Sequence, residues 1–211
     1  TAVAGLVNGD TLNSATSGAL VLATLATVAS GQGTYAITPG LGTLAAANYD
    51  FSFVDGVLTV TKAVLTVSAD AKTRTFGDAT PAFTYAITGF LNGDTAAAAT
   101  SGAPVLSTTA TATSGVGTYP IAVAAGALVS PNYVFTFVDG TLTVTKALLV
   151  VTADDKSRGY GSANPVFTAA VTGLVNGDTL NSATSGAPVL ATLATVASGQ
   201  GYTISAHGHD Q

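Results

Sequence analysis

The residues able to do chemistry recur at a fixed interval. Asn8-Gly9-Asp10, Asn92-Gly93-Asp94 and Asn176-Gly177-Asp178 stand 84 residues apart. Their carbonyls and carboxylates are the oxygen ligands that Ca2+ prefers. The competing reading is a tight turn whose Gly takes a positive φ and whose Asp caps it. No further acid lies nearby in sequence, so the turn is the stronger reading. Asp70 and Asp154-Asp155 lie near the steps between copies, where Asp55 or Asp139 could join them around an inter-copy Ca2+. Solvated loop acids are the alternative. His207-Gly208-His209-Asp210 has the residue types of a metal clamp, but at this position it reads more simply as a terminal tail. Lys62, Lys72, Lys146 and Lys156 sit among many Asn. A Lys–Asn amide staple would need a buried acid beside the pair, and the sequence identifies none. Lys62 and Lys146 read more simply as charges that blunt a sheet edge. Thr141, Thr143 and Thr145 would align hydroxyls on one strand face. Such a row suits ice or glycan, or ordinary cross-strand Thr pairing, which is the simpler account.

No enzyme constellation is visible. The chain has no Cys and no Glu, and its two His lie at 207 and 209, outside the repeated part. A nucleophile with a base beside it cannot be assembled from what remains. The expectation is a non-enzyme, with no catalytic, cofactor-binding or metal-ligating residue assigned. Charge is sparse: Asp, Lys and Arg make up 8% of the 211 residues, with a net charge of −5, against roughly 25% charged in an ordinary soluble domain. Four Lys and two Arg leave no basic patch for nucleic acid or an anionic membrane surface. Without Cys, stability must come from core packing or bound ions. The longest apolar-looking run, Ala19–Ala29, is broken by Thr24 and Thr27 and falls far short of the ~20 residues of a membrane span.

The elements that must position these residues are themselves repeated. A fixed period of this kind marks a tandem array. One whole copy, 62–145, is flanked by a copy lacking its start, 1–61, and a copy lacking its end or diverging there, 146–211. Thr1 falls mid-repeat and reads as a cut within a longer protein. Residues 173–201 equal 5–33 except that Pro188 replaces Leu20. After Gly201 the match ends, and GYTISAHGHDQ replaces the expected Gly-Thr-Tyr-Ala-Ile pattern. Helix formers are scarce, apart from one short turn predicted near Asp10. Strand signals dominate: β-branched, period-two runs bounded by Gly, Pro, Asn and Asp. Phe83, Tyr85 and Ile87 predict one inward set. Tyr133, Phe135 and Phe137, like Tyr49, Phe51 and Phe53, predict aromatics on one strand face. Asp55-Gly56 and Asp139-Gly140 predict two-residue hairpin turns.

Apolar positions are even at Leu58, Val60, Leu142 and Val144, then odd at Leu65, Val67, Leu149 and Val151. One continuous strand cannot face a single core through that switch. The chain is therefore expected to leave one core and enter the next at Lys62-Ala63 and Lys146-Ala147, with almost no linker.

Several separated stretches resemble the MBG-type tandem repeat of bacterial surface and secreted adhesins. They are Tyr160-Gly161, Pro165-Val166-Phe167, Gly173-Leu174-Val175-Asn176-Gly177-Asp178-Thr179 and Gly201, with counterparts Phe76-Gly77, Pro81-Ala82-Phe83, Gly89–Thr95 and Gly115–Tyr119. The closing stretches Asn132–Phe135 and Asp139–Lys146 fit as well. Phe76 in place of Tyr and the tail after 201 are departures. The resemblance implies a mainly β extracellular module in long arrays, with no catalytic residue to carry over. The expected fold is all-β: tandem small antiparallel β-sandwich units of immunoglobulin type, or β-grasp-like units with a short helix near 95–102. The expected role is a stalk segment of a bacterial cell-surface adhesin, spacing a binding tip from the cell. Its expected partners are neighbouring repeats of the same protein. The alternatives are a glycan- or ice-binding module acting by avidity on host or biofilm surfaces, and a subunit forming filaments head-to-tail by strand complementation.

Overall fold

The computed structural model describes residues 4–207. The first copy holds α1 (Leu12–Ala15), β1 (Thr16–Ser17), β2 (Val21–Ala23), β3 (Gly33–Gly40), β4 (Ala45–Ala46) and β5 (Gly56–Val60). The central copy holds β6 (Ala63–Ala69), β7 (Lys72–Thr75), β8 (Tyr85–Thr88), α2 (Ala96–Ala99), β9 (Val105–Thr108), β10 (Gly117–Ala124), β11 (Tyr133–Val138) and β12 (Gly140–Thr145). The third holds β13 (Val150–Ala153), β14 (Ala169–Thr172), α3 (Leu180–Ala183), β15 (Val189–Ala191) and β16 (Ser205–His207). The fold is all-β, and each helix is one four-residue turn. In α1 and α3 a Thr N-cap and the Ser three residues on exchange hydrogen bonds, which satisfies amides that a helix start leaves open. Ala98 replaces that Ser in α2, and Thr95 makes no side-chain cap.

The central copy contains two sheets, ordered β11-β6-β8 and β7-β12-β10-β9. The expected antiparallel pairing holds for β10 with β12, β3 with β5, β2 with β3 and β13 with β14. Two pairs are parallel instead: β6 with β11, Leu65 opposite Phe135, and β7 with β12, Arg74 opposite Val144. The hairpins expected at Asp55-Gly56 and Asp139-Gly140 are therefore corrected. At Asp139-Gly140 the chain steps from one sheet to the other, because β11 pairs β6 while β12 pairs β10 and β7. Residues 49–54 form no strand. The central copy shows why: β11 is held by β6, which has no counterpart in residues 1–61.

One core per copy is also corrected. The buried residues of the central copy form two clusters. Leu65, Ala99 and Tyr133 gather Ala63, Ile87, Phe90 and Phe135 around them. Ala110, Ile121 and Leu142 gather Ala69, Phe83, Leu106 and Tyr119. Phe83 and Ile87 thus serve different clusters, and Tyr85 between them is exposed. The aromatic row grades outward from buried Tyr133 through half-buried Phe135 to exposed Phe137. Two compact units follow the same division. One comprises Thr1–Ser68, Tyr85–Val105 and Val123–Val138; the other comprises Ala69–Thr84, Leu106–Ala122 and Asp139–Gln211. The change of sheet expected at the Lys-Ala steps occurs between β5 and β6 and between β12 and β13. It also occurs inside the copy.

Gly140 marks that internal step. A Cβ there would lie 2.7 Å from the Ala69 carbonyl oxygen and 3.0 Å from its carbon. At Gly56, the equivalent position, the nearest atom would be 3.6 Å away. Gly140→Ala must push backbone apart, at a cost of about 1–3 kcal/mol, and amide exchange across 140–145 should accelerate accordingly. Gly56→Ala should leave exchange across β5 nearly unchanged. Equal effects would sink this account of the step.

Beyond Gly201 the third copy keeps only the end of the strand: 201–204 form none, and β16 spans three residues where β3 and β10 span eight. β16 pairs β15 with Leu190 opposite Ala206, as Leu22 stands opposite Pro39 in the first copy. The chain has one residue fewer between Gly201 and Ile204 than between Gly33 and Ile37. With that deletion Ala206 takes the place of Pro39 opposite the leucine. Thr192 Oγ1 donates to the Thr203 carbonyl at 2.8 Å, as Thr108 Oγ1 does to Pro120 at 2.7 Å.

Candidate functional site

The Asn-Gly-Asp segments are turns. Asn8, Asn92 and Asn176 have φ of 56°, 55° and 55°, and the following Gly are positive as well. Two consecutive positive φ values define a type I′ turn, for which Asn-Gly is the favoured pair. The amides of Asp10, Asp94 and Asp178 close the turns on the carbonyls of Val7, Leu91 and Val175. The carboxylates are engaged by phenols: Tyr49 donates to Asp10 at 2.6 Å, and Tyr133 to Asp94 at 2.7 Å. Each phenol oxygen accepts an amide in return, from Val7 at 3.3 Å and Leu91 at 3.0 Å. Asn-Tyr and Asn-Gly-Asp, read separately in sequence, are therefore one clamp across 39 residues. Tyr49 is held above its ordinary 10.0, chiefly by its hydrogen bond to Asp10. For Tyr133 the largest influence, the Leu91 amide, lowers the value; the Asp94 hydrogen bond, burial and the Asp94 charge outweigh it, and the net shift is upward. A raised phenol favours the folded state below pH ~10 and loses that contribution as the pH rises through the shifted value.

The remaining candidates are placed as follows. Asp70 and Asp154 accept the hydroxyls of Thr84 and Thr168. Among the described residues no three of His, Cys, Asp or Glu gather into a metal-binding group. His209 and Asp210 lie outside the described residues, and His207 contributes backbone to β16. Lys62 Nζ donates to the Ser130 carbonyl at 2.9 Å, tying the step between copies to a buried loop residue. Thr141, Thr143 and Thr145 share the outer face of β12, with Leu142 and Val144 buried beneath. Thr145 is engaged on the Arg74 carbonyl at 3.3 Å.

Side chains also join neighbouring copies. In the unit holding the first copy, Asn132 Oδ1 accepts the Gln32 amide at 3.0 Å, and Asn92 Nδ2 donates to the Val28 carbonyl at 3.0 Å. A Cβ at Gly31 would lie 2.8 Å from Asn132 Oδ1, so a side chain there would displace the Asn132 amide. In the other unit Val175 packs on Gly77, where a Cβ would lie 2.6 Å from its Cγ2. Asn92 belongs to an Asn-Gly-Asp turn and Val175 precedes one, whereas Asn132 belongs to the Asn-Tyr pair.

A cleft of about 410 Å³ opens in the third copy, lined in part by Arg158, Tyr160, Asn164, Phe167, Tyr202 and Ile204. The corresponding residues of the central copy are Arg74, Phe76, Thr80, Phe83, Tyr119 and Ile121. There the space is filled by β12, which lies between β7 and β10.

The sequence matches the MBG domain (YGX type) family over residues 1–59, 65–143 and 149–211. The chain belongs to the MBG family. No curated protein and no solved structure matches it. A Tyr-Gly pair stands at 160–161 of the third MBG repeat, with Phe76-Gly77 at the same place in the second. Gly77 and Gly161 both have positive φ.

Just before each pair lies a residue that motif reading passed over. Arg74 and Arg158 are the only two arginines, and they stand 84 residues apart. Arg74 is buried, with Nη2 on the Thr111 carbonyl and Nη1 on those of Thr75 and Asp78. Arg158 repeats this with Thr195 and Gly159. Their equal spacing was the available signal. It was hidden because a charged residue in a polar stretch reads as surface.

Proposed function

We propose that this MBG array is a non-catalytic structural spacer of a bacterial extracellular or cell-surface adhesin, holding a binding tip away from the cell. The observation that carries the reading is that side chains recurring with the repeat are spent on the array itself. Asn92 and Asn132 bind the preceding copy, Tyr49 and Tyr133 lock the turns, and Arg74 and Arg158 tie down loops. Copies 1–61, 62–145 and 146–211 follow one another with two to four residues between sheets, at 61–62 and 146–149. Such joints are too short to act as flexible string.

The test is to display the adhesin on cells with one extra copy of 62–145 and to record adhesion by force spectroscopy. The ligand preference and rupture force should stay the same. Full extension should grow by about 280–300 Å per added copy, from ~3.3–3.6 Å per residue. A change of preference or a graded gain in avidity would assign binding to the repeats and overturn the spacer reading.

A further inference from the structure

We propose that the central copy is a mechanical clamp: tension applied at its two ends loads both of its parallel strand pairs in shear. The direction of the load rests on the spacer reading, whereas the clamp rests on the strand pairing alone. In a tandem array, tension enters a copy at one joint and leaves at the next, here at Lys62 and Lys146. β6 starts directly after the first joint and β12 ends directly before the second. In one compact unit β6 pairs β11 over six residue pairs, from Ala63 opposite Tyr133 to Ser68 opposite Val138. In the other unit β7 pairs β12 over four, from Lys72 opposite Leu142 to Thr75 opposite Thr145. Both pairs are parallel, and partners stand 70 residues apart in each.

β6 and β7, joined through Asp70-Ala71, form the segment that takes up the load; β11 and β12, joined through Asp139, form the segment that passes it on. Tension draws the first toward its N-terminus and the second toward its C-terminus. Strands that point the same way are then slid past each other along their length. The bonds of a parallel ladder are evenly spaced and slanted, so they are strained together and none gives first. An antiparallel β6–β11 pair would set the N-end of β6 beside the C-end of β11, and the same tension would open it one bond at a time. Side chains oppose the sliding as well. The Thr66 and Thr136 hydroxyls meet at 3.2 Å, and Thr136 Oγ1 donates to the Leu65 carbonyl at 3.3 Å. Thr145 Oγ1 crosses the other pair to the Arg74 carbonyl at 3.3 Å. At the ends, the Ala63 amide donates to the Asn132 carbonyl at 3.0 Å and the Phe76 amide to the Thr145 carbonyl at 2.8 Å. One face of each pair is sealed, by Leu65, Val67 and Tyr133 in the first and by Arg74, Leu142 and Val144 in the second. From that side no water reaches a strained bond to replace it.

The chain has no Cys, so introduced cysteines are unique handles for single-molecule pulling. The full chain with Thr61→Cys and Lys146→Cys is pulled between those sites, which shears both pairs. Two further variants load the matching ends of one pair and peel it. Thr61→Cys with Pro131→Cys pulls on the N-ends of β6 and β11; Ala79→Cys with Lys146→Cys pulls on the C-ends of β7 and β12. All four positions are exposed. At one loading rate, the first rupture in the shear geometry should need about twofold more force, or above, than in either peeling geometry. Forced unfolding reads the barrier along the pulling direction and not the equilibrium stability, so the three variants should share one urea midpoint. Should one peeling variant have a shifted midpoint, the other carries the comparison. Equal rupture forces in shear and in peeling would overturn the clamp, as would a peeling geometry that resists more than shear. Either result leaves the spacer reading standing, and the adhesion experiment can fail while the directional difference in force remains.

Discussion

Leu142→Ala is expected to destabilise the sheet β7-β12-β10-β9 by about 3 kcal/mol, within the range for a large side chain removed from a packed core. Leu58→Ala, the same substitution one repeat earlier, is expected to cost about 1 kcal/mol or less, because a partly solvated side chain leaves no sealed cavity. Leu142 is fully buried and packs with Ala110 and Ile121; Leu58 is 37% exposed. The two leucines sit in the same sequence context and face the same antiparallel partner, Tyr119 or Tyr35. They differ in the second neighbour. β12 has β7 on its other edge, and among the described residues β5 has no strand there. Urea unfolding followed residue by residue by amide exchange separates the two sheets, which a single global probe would merge. Equal losses would show that burial in this sheet does not depend on the parallel β7 strand, and the two-core description would fail.

That comparison also explains what the sequence could and could not reveal. Period-two patterning placed Leu142 and Val144 on the inner face and Thr141, Thr143 and Thr145 on the outer one, because side-chain direction in a strand is a local property. The Asn-Gly turns were legible for the same reason, although the positive φ of Asn92 joins that of Gly93. Strand partners are not local. Asp139-Gly140 carries the composition of a hairpin turn, yet β11 pairs with a strand 70 residues earlier, as Phe135 opposite Leu65 shows. No turn signal reports such a partner. The parity switch at Lys62-Ala63 revealed a change of sheet there. The parity also switches at Asp139-Gly140, from Phe135 and Phe137 to Leu142, but across a pair with the composition of a hairpin turn, which accounts for a switch without any change of sheet. Of the candidate site, the Asp-Tyr clamp was present as two separate motifs. Joining them needs the fold, which brings residues 94 and 133 within one hydrogen bond.

Arg74→Met is expected to cost about 3 kcal/mol, since hydrogen bonds to a charged donor contribute roughly 1.5–3 kcal/mol net and three carbonyls lose theirs. Methionine fills much of the same volume, so the loss reads out hydrogen bonding more than packing. The two arginines are not equivalently satisfied. In the third copy Asn164 Oδ1 accepts Arg158 Nε at 2.7 Å while its Nδ2 donates to the Ala194 carbonyl at 2.9 Å. The central copy has Thr80 in that place, and buried Arg74 Nε has no protein acceptor. A buried donor left without a partner is costly. Thr80→Asn should therefore stabilise the central copy by about 1–2 kcal/mol, by supplying the bridge that the third copy already has. The gain belongs to the pair, so in an Arg74→Met background Thr80→Asn should yield almost nothing. Amide exchange at Lys72–Thr75 and in the loop around Thr111 reads all four variants. A full gain from Thr80→Asn without Arg74 would mean that the asparagine acts through its turn alone, and the anchoring role given to the two arginines would have to be withdrawn.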